Sequence, residues 1–183
     1  MSKVLLGMTM SLDGFVQDRH GGVERLYPDL AALRQTEALQ EQIRTTGAVV
    51  MGRRAYDMAG GDFTDYEFQV PIFVLTHRAP ERVARGENDR LTFTFVTDGI
   101  KRAVEQAKAA AGDKDVVVIG GAATAQQCLN AGLVDELELA IRPVLLGAGL
   151  RLFEHLDAER IELASIGVME SPTTTDLRFR VVK

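Results

Sequence analysis

The chain is poor in the features that mark several common protein classes. Its 183 residues include one cysteine, Cys128, so no intrachain disulfide can form. That suits a reducing compartment, and a cytoplasmic location is expected. No apolar run approaches the roughly 20 residues of a membrane span. The apolar opening, residues 4–10, is short, Asp13 soon interrupts the pattern, and no small-residue cleavage site follows. It reads as a first strand rather than a signal peptide. Positive charge is not in excess either. A net charge of -5 lacks the broad positive field that drives nucleic-acid binding. The three histidines, His20, His77 and His155, lie far apart, and no cluster has metal-ligand spacing, so no metal site is expected. There is no Gly-x-Ser-x-Gly elbow for acyl transfer and no full Gly-x-Gly-x-x-Gly fingerprint. Cys128 falls on an expected helix with Ala125 and Leu129, where it reads as a small buried hydrophobe.

What is present is the patterning of one globular α/β domain over residues 1–183. Apolar runs at residues 4–10, 48–51, 70–76 and 116–119 read as strands, the middle ones buried on both faces. Residues 91–97 alternate threonine with apolar side chains, another strand pattern. Asp29 is placed to cap a helix running to about Thr46, which Gly47 would end. Asp98 is placed to cap a second helix with apolar residues at Ile100, Val104, Ala107 and Ala111. A third runs from Ala122 to Ala131 and closes on Gly132. After Val134 three strands follow without a long helix, over residues 137–141, 161–169 and 176–182, and they are expected to be antiparallel. The fold class is therefore α/β: a mixed sheet with a parallel core, antiparallel C-terminal strands and helices on both faces.

Three strand ends carry chemistry. Residues 49–51 run into Gly52-Arg53-Arg54, residues 72–75 into Thr76-His77-Arg78, and residues 117–119 into Gly120-Gly121-Ala122. Ligands of open α/β sheets lie at the carboxyl ends of strands. Glycine lets the backbone approach a pyrophosphate, and a helix start offers free N–H groups. Thr76, His77 and Arg78 put a hydroxyl, an imidazole and a guanidinium on one loop, which suits a phosphate monoester. Singly, each segment also fits a tight turn or a solvated charge. Together, in strand–loop–helix order, they favour a phosphate-bearing cofactor. Asp29, Glu37 and Glu41 are candidate carboxylates, with helix capping or solvation as the plainer readings.

These segments resemble the dihydrofolate reductase-like superfamily. The resemblance is closest to the C-terminal reductase domain of the bifunctional riboflavin-biosynthesis deaminase-reductase. It covers essentially the whole chain and rests on five short motifs in the family's order. They are Met10-Ser11-Leu12-Asp13-Gly14-Phe15, Val50-Met51-Gly52-Arg53-Arg54, Leu75-Thr76-His77-Arg78, Val118-Ile119-Gly120-Gly121-Ala122, and Val134-Asp135-Glu136-Leu137 through Arg142-Pro143-Val144-Leu145-Leu146-Gly147. The resemblance implies NADPH as cofactor and hydride transfer to a C=N or C=O carbon. It implies that Gly52, Arg53 and Arg54 face the phosphates and that Thr76, His77 and Arg78 take the adenosine end with its 2′-phosphate. Ile119, Gly120, Gly121, Ala122, Ala123 and Thr124 would lie along the pyrophosphate toward the nicotinamide, bordered by Thr9, Met10 and Val16. It also implies a cis peptide between Gly120 and Gly121, and Asp29 as the carboxylate near the reacting ring.

Two departures stand out. Ala55 replaces a threonine common in the family. Residues 53–60 also replace the Gly-Thr-Val-Leu-Ala-Asp-Asp-Pro-like stretch that helps hold a ribose phosphate in the riboflavin enzymes. The expected substrate is a 5-amino-6-(5-phosphoribosylamino)uracil-type compound, with dihydrofolate as the alternative. A non-catalytic nucleotide-binding protein is the alternative of another class. The strand-rich tail and the resemblance together lead us to expect a homodimer.

Overall fold

The computed structural model describes residues 2–171 and 173–182. An eight-stranded sheet runs through it. In chain order its strands are Val4–Ser11 (β1), Thr46–Gly52 (β3), Ile72–Leu75 (β4), Phe93–Val96 (β5), Asp115–Ile119 (β6), Glu136–Arg142 (β7), Glu162–Glu170 (β9) and Thr175–Val182 (β10). A separate ribbon pairs Phe15–Asp18 (β2) with Gly149–Arg151 (β8). The order across the sheet is β5-β4-β3-β6-β1-β7-β10-β9. From β5 to β7 every neighbour is parallel; β10 is antiparallel to both β7 and β9. The tail is thus only partly antiparallel, because β7 lies alongside β1 with Leu6 opposite Leu137.

Alternation along the central strands fills two cores. Ala48 and Val50 of β3, Val116 and Val118 of β6, and Val4 and Leu6 of β1 face Ile100–Ala111 (α4) and Ala122–Asn130 (α5). Val49, Met51, Ile72 and Val74 face the other way. They pack with Leu39 and Ile43 of Glu37–Thr45 (α2), with Tyr56 of Arg53–Met58 (α3), and with Phe63 and Phe68. Tyr56 anchors α3 to this second core. Its ring stacks on Phe63 and meets Phe93 and Phe95 edge-on at 5.3 Å, and its hydroxyl accepts the Ala84 N–H at 2.7 Å.

Three local expectations change. The helix expected from Asp29 to about Thr46 is two helices, Leu30–Arg34 (α1) and α2. Asp29 does cap the first, accepting the Ala32 N–H at 2.8 Å, but extended Thr36 breaks the run and caps the second. Gly47 lies inside β3 rather than at a helix end. A Cβ there would meet the Ala111 carbonyl at 2.7 Å, so glycine lets α4's end close on the sheet. Gly99, not Asp98, is the N-cap of α4. The end of α5 is as expected. Gly132, with φ 65°, and Leu133 donate to Leu129 and Cys128 carbonyls in a Schellman closure. Cys128 is fully buried, and burial pushes its thiol up to about 12. No helix among the described residues is long and apolar enough to cross a membrane.

Candidate active site

The carboxyl ends of β1, β3, β4 and β6 open on one cleft of about 1110 Å³. Two glycines form its floor. The Gly52 N–H donates to the Gly120 carbonyl at 3.1 Å, tying the ends of β3 and β6 together. A Cβ on Gly52 would stand 2.5 Å from the buried Thr124 hydroxyl oxygen, and one on Gly120 would stand 3.0 Å from Ala55. Gly120 also has φ 58°, the left-handed region that glycine enters freely. Gly121 has nothing within 4 Å of its absent Cβ. Gly52 and Gly121 are the N-caps of α3 and α5, and neither helix has a side-chain cap. Their first-turn N–H groups therefore remain free of side-chain acceptors. The chain contains no cis peptide among the described residues, which corrects the expectation for Gly120–Gly121. The left-handed turn at Gly120 makes the reversal through a trans bond instead.

Beside this floor the Thr76–Arg78 loop packs against the start of α3. Arg53 holds it: Nε donates to the two Asp57 carboxylate oxygens at 2.8 and 3.0 Å, and Nη1 donates to the Arg78 carbonyl at 3.0 Å. Thr76 uses its hydroxyl internally, donating to the same carbonyl at 2.8 Å. Arg53 and Thr76 are thus braces of the loop. The side chains of Arg54, His77 and Arg78 line the cleft without an ion pair or hydrogen bond among the described residues.

Toward β1 the lining changes, where Tyr27 bonds Thr9. Tyr27 and Tyr66 stand close to each other there, and burial pushes both phenols upward; for Tyr27 hydrogen bonding with Thr9 partly offsets this, and for Tyr66 the neighbouring Glu67 charge adds to it. Arg34 pairs with Glu67 at 2.7 Å. Val16 and Leu150 of the β2–β8 ribbon close one side, and Gln17 reaches Met58 Sδ at 3.5 Å. The ribbon is pinned by Asp13. Its carboxylate accepts from Ser11 Oγ at 2.6 Å, Gly147 N at 2.7 Å and Leu146 N at 3.1 Å. The Ser11 hydroxyl, aided by the two amides, holds the Asp13 carboxyl down at about 2.

The residues expected at the site gather with two exceptions. Thr9, Val16, Gly52, Arg53, Arg54, Thr76, His77 and Arg78 all line the cleft, as do Ile119, Gly120, Gly121, Ala122, Ala123 and Thr124. Met10 instead packs against the core under α4 and α5. Asp29 stands outside the lining, exposed, with its carboxylate engaged as the α1 cap. Sequence reasoning missed Tyr27, Arg34, Tyr66 and Glu67. The Asp65-Tyr66-Glu67-Phe68 run, alternating acidic and aromatic residues, was the available signal for Tyr66 and Glu67.

Known proteins share this fold. The RibD C-terminal domain family matches residues 2–174 of the chain. A putative riboflavin biosynthesis protein from Shewanella sp. PV-4 superposes with a TM-score of 0.81 at 23% identity, covering 99% of each chain. A diaminohydroxyphosphoribosylaminopyrimidine deaminase/5-amino-6-(5-phosphoribosylamino)uracil reductase from Thermotoga maritima gives 0.74 at 16% identity, covering 99% of this chain and 57% of that one. Dihydrofolate reductase from Enterococcus faecalis, in complex with NADP(H), gives 0.63 at 15% identity over 99% of this chain and 97% of that one. At these identities the structural likenesses show the dihydrofolate reductase-like fold.

Proposed function

Because the chain belongs to the RibD C-terminal domain family, we propose that it is a reductase that binds NADPH in this cleft and reduces a C=N or C=O carbon of a small heterocyclic or sugar-linked substrate. One observation carries the reading. The ends of β3, β4 and β6 converge on a floor where Gly52 and Gly120 tie the strand ends together and Gly121 leaves its backbone open, with Arg54 and Arg78 beside it unpaired among the described residues. That is the chemistry a dinucleotide phosphate needs: close backbone approach, free N–H groups and uncommitted cations.

NADPH, when bound, supplies the hydride. The chain's own residues do the rest. Gly52, Gly120 and Gly121 would take the pyrophosphate against backbone. Arg54 would neutralise it, and Arg78, on the loop that Arg53 braces, would take the 2′-phosphate. Thr9, Val16 and Ile119 would border the nicotinamide and keep water from the reacting carbon. The proton comes from water or from a carboxylate at the substrate end, where Asp65 and Glu67 line the cleft. Asp29, spent as a cap away from the lining, has no assigned step.

The aminouracil named for the Thermotoga neighbour, with its phosphate and without it, is the first compound to test, and dihydrofolate the second. NADPH consumption with either supports the reading. NADPH binding without turnover of any heterocycle tested would favour a nucleotide-binding role instead.

We also propose that the chain forms a homodimer over its β9 edge. Leu163, Ile166, Val168 and Met169 of that strand are exposed, Val168 by 63%. An apolar strand left bare at a sheet edge invites pairing with another chain.

A further inference from the structure

The cleft carries opposite charge patterns at its two ends. Arg54 and Arg78 follow β3 and β4 and have no ion pair or side-chain hydrogen bond among the described residues. Tyr27 bonds Thr9 of β1, three strands across from β4, and Tyr66 lies close to Tyr27. The lining cation beside Tyr66 and Glu67, Arg34, is spent. Arg34 Nε donates to Glu67 Oε1 at 2.7 Å, and Arg34 Nη2 donates to the Asp65 carbonyl at 3.4 Å. Their side chains keep 45% and 19% exposure, so the pair borders the cleft rather than lying beneath it. Two further carboxylates line that stretch: Asp65, and Asp62, which Arg85 Nη2 pairs at 2.8 Å.

We infer that Glu67 holds Arg34 away from anions, so that the substrate end selects an uncharged, flat nitrogen heterocycle and rejects a substrate bearing a phosphate ester there. The inference rests on the reductase reading and narrows its substrate class. A phosphate arriving at Arg34 would have to displace Glu67 and then lie beside two carboxylates, which repel it. Ionised carboxylates only accept hydrogen bonds, so they match ring N–H and amino donors. Tyr27 and Tyr66 add aromatic lining for such a ring.

The test uses the full chain saturated with NADP⁺, so that the cationic end is filled. The probes are 5-amino-6-(ribosylamino)uracil and its 5′-phosphate, and the readout is the ratio of their dissociation constants. The native chain is expected to bind the dephosphorylated form about tenfold or more tightly. Glu67→Gln, by freeing Arg34, is expected to lower that preference about tenfold, and Arg34→Gln in the same chain to restore it. A native preference for the phosphate, a ratio that Glu67→Gln does not move, or no binding of either form overturns the inference. Failure of NADP⁺ itself to bind overturns the reductase reading instead.

Discussion

The Gly52 amide and the Gly120 carbonyl, 3.1 Å apart, join the ends of two strands that are 68 positions apart in sequence, from 52 to 120. This bond sets the cleft floor, and the glycines around it divide into two kinds. Gly52 and Gly120 are hemmed in by protein, whereas Gly121 opens onto free space.

Alanine at each position should therefore behave differently. Gly120→Ala forces a left-handed alanine, costing about 1–2 kcal/mol, and presses on Ala55. Gly52→Ala collides with Thr124. Both should lower the melting temperature as well as weaken NADPH. Gly121→Ala should change stability by no more than about 0.5 kcal/mol and still weaken NADPH, because its methyl enters the cleft. Thermal melts with and without NADPH separate the cases. Unchanged NADPH affinity in Gly121→Ala would show that the floor is only a turn.

Arg78 should discriminate between cofactors. Its guanidinium is unpaired, and its loop is held through backbone by Arg53 and Thr76. Arg78→Ala should weaken NADPH by about 1.5–3 kcal/mol, the worth of a hydrogen bond to a charged group, and leave NADH nearly unchanged. Equal losses for both in titration would remove Arg78 from the 2′-phosphate.

Asp13 should make the ribbon acid-sensitive. Its carboxyl falls from the usual 3.8 to about 2 in the folded chain. The folded state thus favours the ionised form, and that contribution is full above pH 3.8. It fades as pH falls through about 2. Asp13→Asn should lose the contribution at neutral pH and flatten the acid limb of a stability profile. A variant with the native acid limb would show that the clamp carries no stability.

The exposed β9 strand should be covered in solution. Light scattering is expected to report a dimer, and Val168→Glu should shift it to monomer with the NADPH affinity kept. A native monomer at all concentrations would refute the proposed edge.

Much of this was legible in the sequence, for physical reasons that differ by element. Strands β3, β4 and β6 are buried on both faces, so their continuous valine and isoleucine runs stand out, and the glycines that follow mark the floor. The Gly132 closure was equally plain. The β8 strand was not, because its three residues, Gly149–Arg151, carry no period. Thr36 hid the break between α1 and α2, since its capping bond to Leu39 follows from its extended backbone and not from the apolar spacing. Arg53 reads from the sequence as a phosphate ligand, and the pairing with Asp57 one turn on comes from the helix. The substrate end was least legible. Arg34 and Glu67 meet across 33 positions, and only the fold brings them together.

The most direct test is a thermal melt of the full chain across a range of NADPH concentrations. The account predicts a melting temperature that climbs with NADPH, reaching about 2.7 kcal/mol of stabilisation at 100 times Kd, with NADH well behind. A melting temperature that does not move at saturating NADPH would contradict it.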